Sequence, residues 1–323
     1  MSLTDDQLDL RDAVRSFLAG RPGAPWSRFA AELGVAGLAV PEEYGGAGCG
    51  MAETAVVCEE LGRVMAPYPY LQTAVLAVEA IKAAGDPAAM ARLLPGIADG
   101  SVTATVLFPG DAELTLDGDR LTGTARYALD GELVLAFVGG ELVEAVPSSR
   151  TPHTPLDQSR PLSTLTFAGV PVLRLGEGTD WAAVRDLGVI ALAAEQVGGA
   201  ARCLEAAVEY AGERHQFGRP IGSFQAVKHK AADLLLLVES ARSAAMAAAR
   251  SAGRERPTLA AMAGSYCSEA YLSASGENIQ IHGGIGVTWE HSAHRHFKRA
   301  TSDAQLFGPP QAHRARLAAA AGL

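Results

Sequence analysis

Three long alanine-rich stretches, Val189 to Gly212, Phe224 to Ser251 and Thr258 to His282, constrain the fold of this chain more than any other feature. Alanine and leucine carry little conformational penalty in a helix. None of the three stretches contains a proline, so each predicts a helix of roughly six turns or more. Helices of that length bury their apolar faces by lying against one another as an antiparallel bundle. A last pair, Ala293 to Phe307 and Gln311 to Ala321, is split by Gly308-Pro309-Pro310. Residues 179–323 are therefore expected to form a C-terminal four-helix bundle.

The first third also reads as helix. Thr4-Asp5-Asp6 can cap a helix carrying Leu8, Leu10, Val14, Phe17 and Leu18 at helical spacing, and Pro22 to Pro25 breaks it. Trp26 to Leu33, Met51 to Val64, Thr73 to Ala84 and Asp86 to Ile97 follow as helices. Glu42-Glu43-Tyr44-Gly45-Gly46-Ala47-Gly48 makes a glycine-rich turn. Near Thr103 the pattern changes. Thr103 to Phe108 is strand-like, and Leu114 to Leu116 and Arg120 to Gly123 predict a hairpin around Asp117-Gly118. Leu133 to Val138, Leu142 to Val146, Leu162 to Phe167 and Val170 to Leu175 are further strand candidates. The expected fold class is mainly α with a small inserted β domain. It comprises an N-terminal helical domain (1–103), a middle barrel- or sandwich-like β domain (104–178) and the helical bundle.

Composition narrows the function classes. The chain has 323 residues, 48% hydrophobic and 20% charged, and a formal net charge of -9. With no basic block, a nucleic-acid partner is not expected. No uninterrupted apolar run reaches the ~18 residues of a membrane span, and the start at Met1 is acidic and polar, unlike a signal peptide. Cys49, Cys58, Cys203 and Cys267 form no CxxC pair, so reduced, mostly buried thiols and a cytoplasmic location are expected. No GxGxxG follows a strand, and no nucleophile elbow supports Ser-His-Asp chemistry. His282, His291, His294 and His296 cluster in sequence. They lack the carboxylate or cysteine companions of a metal site and read as polar surface or interface histidines.

The motifs carry a resemblance. Leu33-Gly34-Val35-Ala36-Gly37-Leu38-Ala39-Val40-Pro41-Glu42-Glu43-Tyr44-Gly45-Gly46, extended by Glu59-Glu60-Leu61-Gly62-Arg63, resembles the N-terminal signature of acyl-CoA dehydrogenases. The segment from Arg214 to Gln225 is similar to the family's RxxFGxPxxxFQ segment. Gln280-Ile281-His282-Gly283-Gly284-Ile285-Gly286 is similar to its QxxGGxG segment. The resemblance covers nearly the whole chain in the family's order. It implies FAD as cofactor, an acyl-CoA thioester as substrate and an electron-transfer flavoprotein as acceptor. It also implies that Arg214, with Gln216 and Phe217, contacts FAD held partly by a neighbouring subunit. Phe224 and Gln225 are placed near the adenosine half, and Gln280, Gly283 and Gly284 offer backbone amides. Read without the resemblance, the Arg-Gly-Pro turn can simply join two helices, and Gly283-Gly284 can be a helix C-cap.

The same resemblance marks departures. Family members remove the α-proton with a carboxylate, often a Glu just before a Gly-Thr pair. Here Phe307 stands at that position, before Gly308-Pro309, and phenylalanine takes no proton. Gly188 falls at a second family position for the base, with Asp186 and Glu195 nearby but out of alignment. Asp303, one turn before Phe307, is a weak candidate for a displaced base and reads better as a solvated or ion-paired helix residue. In the β domain, Leu107-Phe108-Pro109-Gly110-Asp111-Ala112 stands where family members carry Thr-Glu-Pro…Gly-Ser-Asp. Arg126-Tyr127-Ala128-Leu129-Asp130 stands where they carry Trp-Ile-Thr. The half-site that cradles flavin is eroded, while the half-site that reaches FAD in trans is kept. The expectation is the base-lacking partner in a heteromeric α2β2 dehydrogenase with a second, Glu-bearing homologue. A self-sufficient dehydrogenase with a relocated base and a non-catalytic structural relative are the alternatives.

Overall fold

The computed structural model describes residues 3–323; Met1 and Ser2, the first residues of the polar start, lie outside the described residues. The chain divides into two compact units. One comprises Asp5–Val57 and Pro67–Gly188, the other Cys58–Ala66 and Val189–Leu323.

The first unit opens with α1 (Asp5–Gly20), whose first turn carries Asp5 and Asp6, the signs a helix N-terminus favours. In α2 (Trp26–Leu33), Gly34 at φ 64° stops the helix and donates its N–H to the Ala30 carbonyl. Helix α3 (Met51–Val64) begins in this unit and continues into the other. The helix expected from Thr73 starts earlier, as a wide π turn over Leu71–Ala77 that runs into α4 (Val78–Ala84). The π turn joins the sheet: Thr73 Oγ1 accepts from the Ala104 N–H at 2.9 Å, and Gln72 Nε2 donates to the Asp130 carbonyl at 2.8 Å. In α5 (Pro87–Ala98), the Asp86 carboxylate caps the Ala88 N–H at 3.0 Å.

The strands are β1 (Ala104–Leu107), β2 (Ala112–Asp117), β3 (Arg120–Leu129), β4 (Leu133–Val138), β5 (Glu141–Ala145), β6 (Ser149–Pro152) and β7 (Leu162–Glu177). They lie in the order β1-β4-β5-β7-β3-β2, with β6 also on β7. Only the β1–β4 pairing is parallel among the described strands. The predicted hairpin forms, but its loop is Gly118-Asp119, because Asp117 pairs with Arg120 and Gly118 takes φ 57°. The two strands expected at Leu162 and Val170 are one 16-residue strand. Gly169, at φ 67°, is the extra residue of a bulge that lets pairing with β3 continue past it. Strand β6 was not expected. It is short, polar and ends at Pro152, as an edge strand can, and so lacks the alternation that marks a strand in sequence. Leu121, Val134, Ala136, Val143, Leu165 and Phe167 close the core of the sheet.

The second unit is built on α6 (Trp181–Glu213) from Val189 onward, α7 (Gln225–Ala249), α8 (Arg256–His282), α9 (Ala293–Asp303) and α10 (Pro310–Ala320). By length and composition α6 is apolar enough to cross a membrane, but 94% of its apolar window is buried inside the protein, as in a core helix. Ala200, Cys203, Leu234, Val238, Tyr271, Ala274 and Ala300 form the core. Three glycines set the helix spacing. A Cβ on Gly198 would lie 1.8 Å from the Glu59 carbonyl oxygen, one on Gly62 1.9 Å from the Glu195 carbonyl oxygen, and one on Gly199 2.4 Å from Tyr271 Cζ. The family-like Gly62 thus brings two backbones into contact. Helix α9 stops at Asp303 and does not run on to Phe307 as expected. Phe307 and Gly308 take φ 57° and 103°, and α10 restarts at Pro310, whose fixed φ suits a first helical turn.

Candidate functional site

The residues singled out for cofactor contact gather at one end of the second unit. Between α6 and α7 the chain makes a tight hairpin of β8 (His215–Gln216) and β9 (Arg219–Pro220). The Ile221 N–H closes it on the Arg214 carbonyl at 2.7 Å. Its two loop residues, Phe217 and Gly218, both have positive φ, 54° and 77°, the pattern of a type I′ turn. Glycine accepts that conformation freely; phenylalanine does so at a cost, yet Phe217 is 91% exposed. Behind it, Phe224 packs edge-on at 6.1 Å and takes the Arg219 guanidinium over its face at 4.1 Å. Arg214, Gln216 and Gln225 are exposed, and Arg214 makes no ion pair among the described residues.

The Gly283-Gly284 segment is brought to the same end. Tyr210, near the end of α6, stacks on His282, the last residue of α8, at 4.3 Å, and Lys230 in the first turns of α7 pairs with Glu277 at 2.5 Å. Gly283 takes φ 66° and ψ -144°, a conformation open essentially only to glycine. A Cβ on Gly283 or Gly284 would meet nothing within 4 Å, so their backbone faces open space, and Gln280 is exposed beside them. An unpaired guanidinium, exposed amide side chains and bare glycine backbone fit a phosphate-bearing cofactor such as FAD.

The positions where a base was sought look different. Phe307 is half-buried in the left-handed turn after α9. Asp303 is 1% exposed and lies 3.6 Å from the Arg299 guanidinium, so it is ion-paired but not solvated. Arg299 also binds Glu195 at 2.6 Å, joining two of the acids considered as bases in one buried cluster. Asp186 is buried as well. The histidines depart from the surface reading: His282, His294 and His296 are buried, and His296 Nδ1 lies 2.9 Å from the Tyr271 hydroxyl. Sequence alone gave no sign of this burial, because α9 reads as a charged helix.

In the first unit, Gly110 at φ 89° turns the shortened Pro109-Gly110-Asp111 segment, and Pro109 bridges to Ala112. Asp111 pairs with Arg185 at 3.1 Å; burial pushes its carboxyl above the usual range and Arg185 partly offsets this. Tyr127 sits in a bulge of β3, at φ 56° and 64% exposed, with its ring 4.9 Å from His153. No periodicity in the sequence marks that bulge.

Comparison with known proteins matches these features. The family model for the acyl-CoA dehydrogenase N-terminal domain matches residues 4–101, and the model for the C-terminal domain matches 169–322. The chain is 39% identical over 302 residues to acyl-CoA dehydrogenase IpdE2 of Mycobacterium tuberculosis, covering 93% of this chain and 88% of that protein. Among solved structures, the ChsE4–ChsE5 complex from Mycobacterium tuberculosis aligns with a TM-score of 0.90 at 26% identity, covering 99% of this chain and 98% of the matched one. A Tcur3481–Tcur3483 steroid ACAD variant aligns with a TM-score of 0.87 at 29% identity, covering 98% of each chain. With both domain models matched in order and the IpdE2 likeness spanning nearly its full length, this chain belongs to the acyl-CoA dehydrogenase family.

Proposed function

We propose that this chain is the base-lacking subunit of a heteromeric, FAD-dependent acyl-CoA dehydrogenase and lends FAD contacts to an active site on a second, Glu-bearing homologue. The observation that carries the reading is a division within the second unit. By family resemblance the base position falls at Phe307, while the candidate FAD-contact residues Arg214, Gln216, Phe217, Gln225, Gln280, Gly283 and Gly284 are exposed. An aromatic side chain held in a costly backbone conformation at 91% exposure is what a surface completed by another subunit requires. The likeness to chains from the ChsE4–ChsE5 complex and from the Tcur3481–Tcur3483 pair supports a two-component assembly, and the latter favours a steroid-derived acyl-CoA thioester.

In this reading Arg214 binds the pyrophosphate with its planar guanidinium, and Phe224 with Gln225 holds the adenosine half. The Gly283-Gly284 amides would face the cofactor, whose chemistry there would be acceptance of hydride from the thioester's β-carbon. Proton removal falls to the partner's carboxylate, and an electron-transfer flavoprotein reoxidises the assembly. A relocated base in this chain is disfavoured, because Asp303 is buried against Arg299, and a base must reach the substrate's α-carbon. The test is purification alone and after co-expression with a Glu-bearing homologue, recording the visible spectrum and the mass in solution. A colourless lone chain that yields a yellow heteromer supports the reading. Oxidation of acyl-CoA by the lone chain overturns it.

A further inference from the structure

We propose that His291 is a positioning residue that holds the Gly283-Gly284 loop in place while its ring is neutral and releases it on protonation. The loop runs from the end of α8 to the start of α9, and the two rings at its ends touch: His282 and His291 lie 4.2 Å apart, with Tyr210 of α6 stacked on His282 at 4.3 Å. Hydrogen bonds fix what each nitrogen carries. His282 Nδ1 meets the Asn278 carbonyl at 2.8 Å, and a carbonyl only accepts, so that nitrogen bears a proton. The Ala293 N–H donates to His291 Nδ1 at 3.1 Å, so that nitrogen is bare.

His291 therefore caps α9. Ala293 is the first residue of that helix, and Ser292 makes no side-chain cap. Protonating Nδ1 would abolish the acceptor and leave the Ala293 N–H without it. The new charge would also be poorly placed. The first turn of α9 holds no acid, the ring against His291 is His282 on α8, Glu290 is the adjacent acid in sequence, and Arg295 and Lys298 of α9 act, with His291, on the neighbouring His294. Lys298 is engaged over the Trp289 ring at 4.0 Å. A positive ring at a helix N-terminus opposes the helix dipole as well.

Burial, and then the neighbouring His282, hold the His291 ring below its ordinary value of 6.5. A group with a lowered folded pKa gives its full stabilisation above the unfolded value and loses it as pH falls through the folded one. The loop is thus ordered at neutral pH and loosens in acid. Its consequence for cofactor retention rests on the proposed function; the loop's own behaviour does not.

The experiment is amide hydrogen exchange on the full chain across pH 5 to 8, corrected for intrinsic rates and read in peptides covering residues 283–295. Protection is expected to drop roughly fivefold on acidification, the scale of one lost helix cap, while the α7 core keeps its protection. His291→Asn retains an acceptor near the same place and does not titrate, so its protection should stay flat with pH. Protection in the wild-type loop that is independent of pH overturns the proposal. So does a His291→Asn variant that keeps the full pH dependence.

Discussion

Arg299 binds the Glu195 carboxylate at 2.6 Å where both side chains are more than nine-tenths buried, and Asp303 lies 3.6 Å from the same guanidinium. One cation thus serves two acids inside the second unit. Breaking such a cluster from the cationic side removes the Arg299 charge from two buried carboxylates at once. Arg299→Met is expected to destabilise the chain by about 3–5 kcal/mol, and adding Glu195→Gln should recover part of the loss. Urea unfolding of the single and double variants checks this. An Arg299→Met chain as stable as wild type would show that the cluster is not held together by its charges.

Helix spacing gives a second prediction. Gly62→Ala would place a methyl carbon 1.9 Å from the Glu195 carbonyl oxygen, where only backbone movement can relieve the clash. A loss of at least about 1–3 kcal/mol is expected. Gly212→Ala, within α6 and with nothing within 4 Å of the added Cβ, is the control and should leave the midpoint unchanged or slightly raised.

The hairpin turn separates stability from assembly. Asparagine accepts the left-handed conformation better than phenylalanine, and Asn-Gly is a preferred type I′ pair. Phe217→Asn should therefore stabilise the chain by up to about 1 kcal/mol. In the co-expressed heteromer the same variant should lower the flavin content per protein, read from the ratio of visible to ultraviolet absorbance.

Arg214→Lys keeps the charge but loses the planar two-donor geometry. Loss of a charged hydrogen bond of about 1.5–3 kcal/mol should weaken flavin retention by roughly ten- to a hundredfold. Equilibrium dialysis of the heteromer measures it, and unchanged melting of the variant would confine the effect to the ligand.

Thiol reactivity tests burial. Cys267 is pushed up to about 12 and Cys203 is also strongly raised, in both cases because burial penalises the thiolate. At pH 8 the native chain should react with a disulfide reagent at Cys49 at most, the one cysteine that is not buried, and at all four after unfolding.

Sequence revealed what is local and long. The α6, α7 and α8 stretches declare themselves through alanine content and absence of proline, and the β2–β3 hairpin through its turn residues. Features set by distant partners stayed hidden. Gly169 reads as a break between two strands, because the sequence does not show that β3 and β5 continue the pairing on either side of it. The π winding at Leu71–Ala77 goes with Gln72 and Thr73 bonding to the sheet, and α9 reads as a solvated helix although His294, His296, Arg299 and Asp303 point inward. The candidate FAD-contact residues are legible through family resemblance, not through their chemistry. Structure adds that they share one end of a unit, and that Phe217 occupies a backbone conformation few side chains adopt.

Strand β7 carries a consequence of its own. Its first half pairs with β3 and β6 and its second half with β5, so the two parts of the sheet share a single continuous backbone. Each part uses its own half of the strand, so β5 can leave residues 172–177 without removing the hydrogen bonds that β3 and β6 make to residues 162–171. The sheet can therefore open in two steps: amides of the β5 half and of the β3–β6 half should exchange with separate free energies, joined only through the one covalent strand.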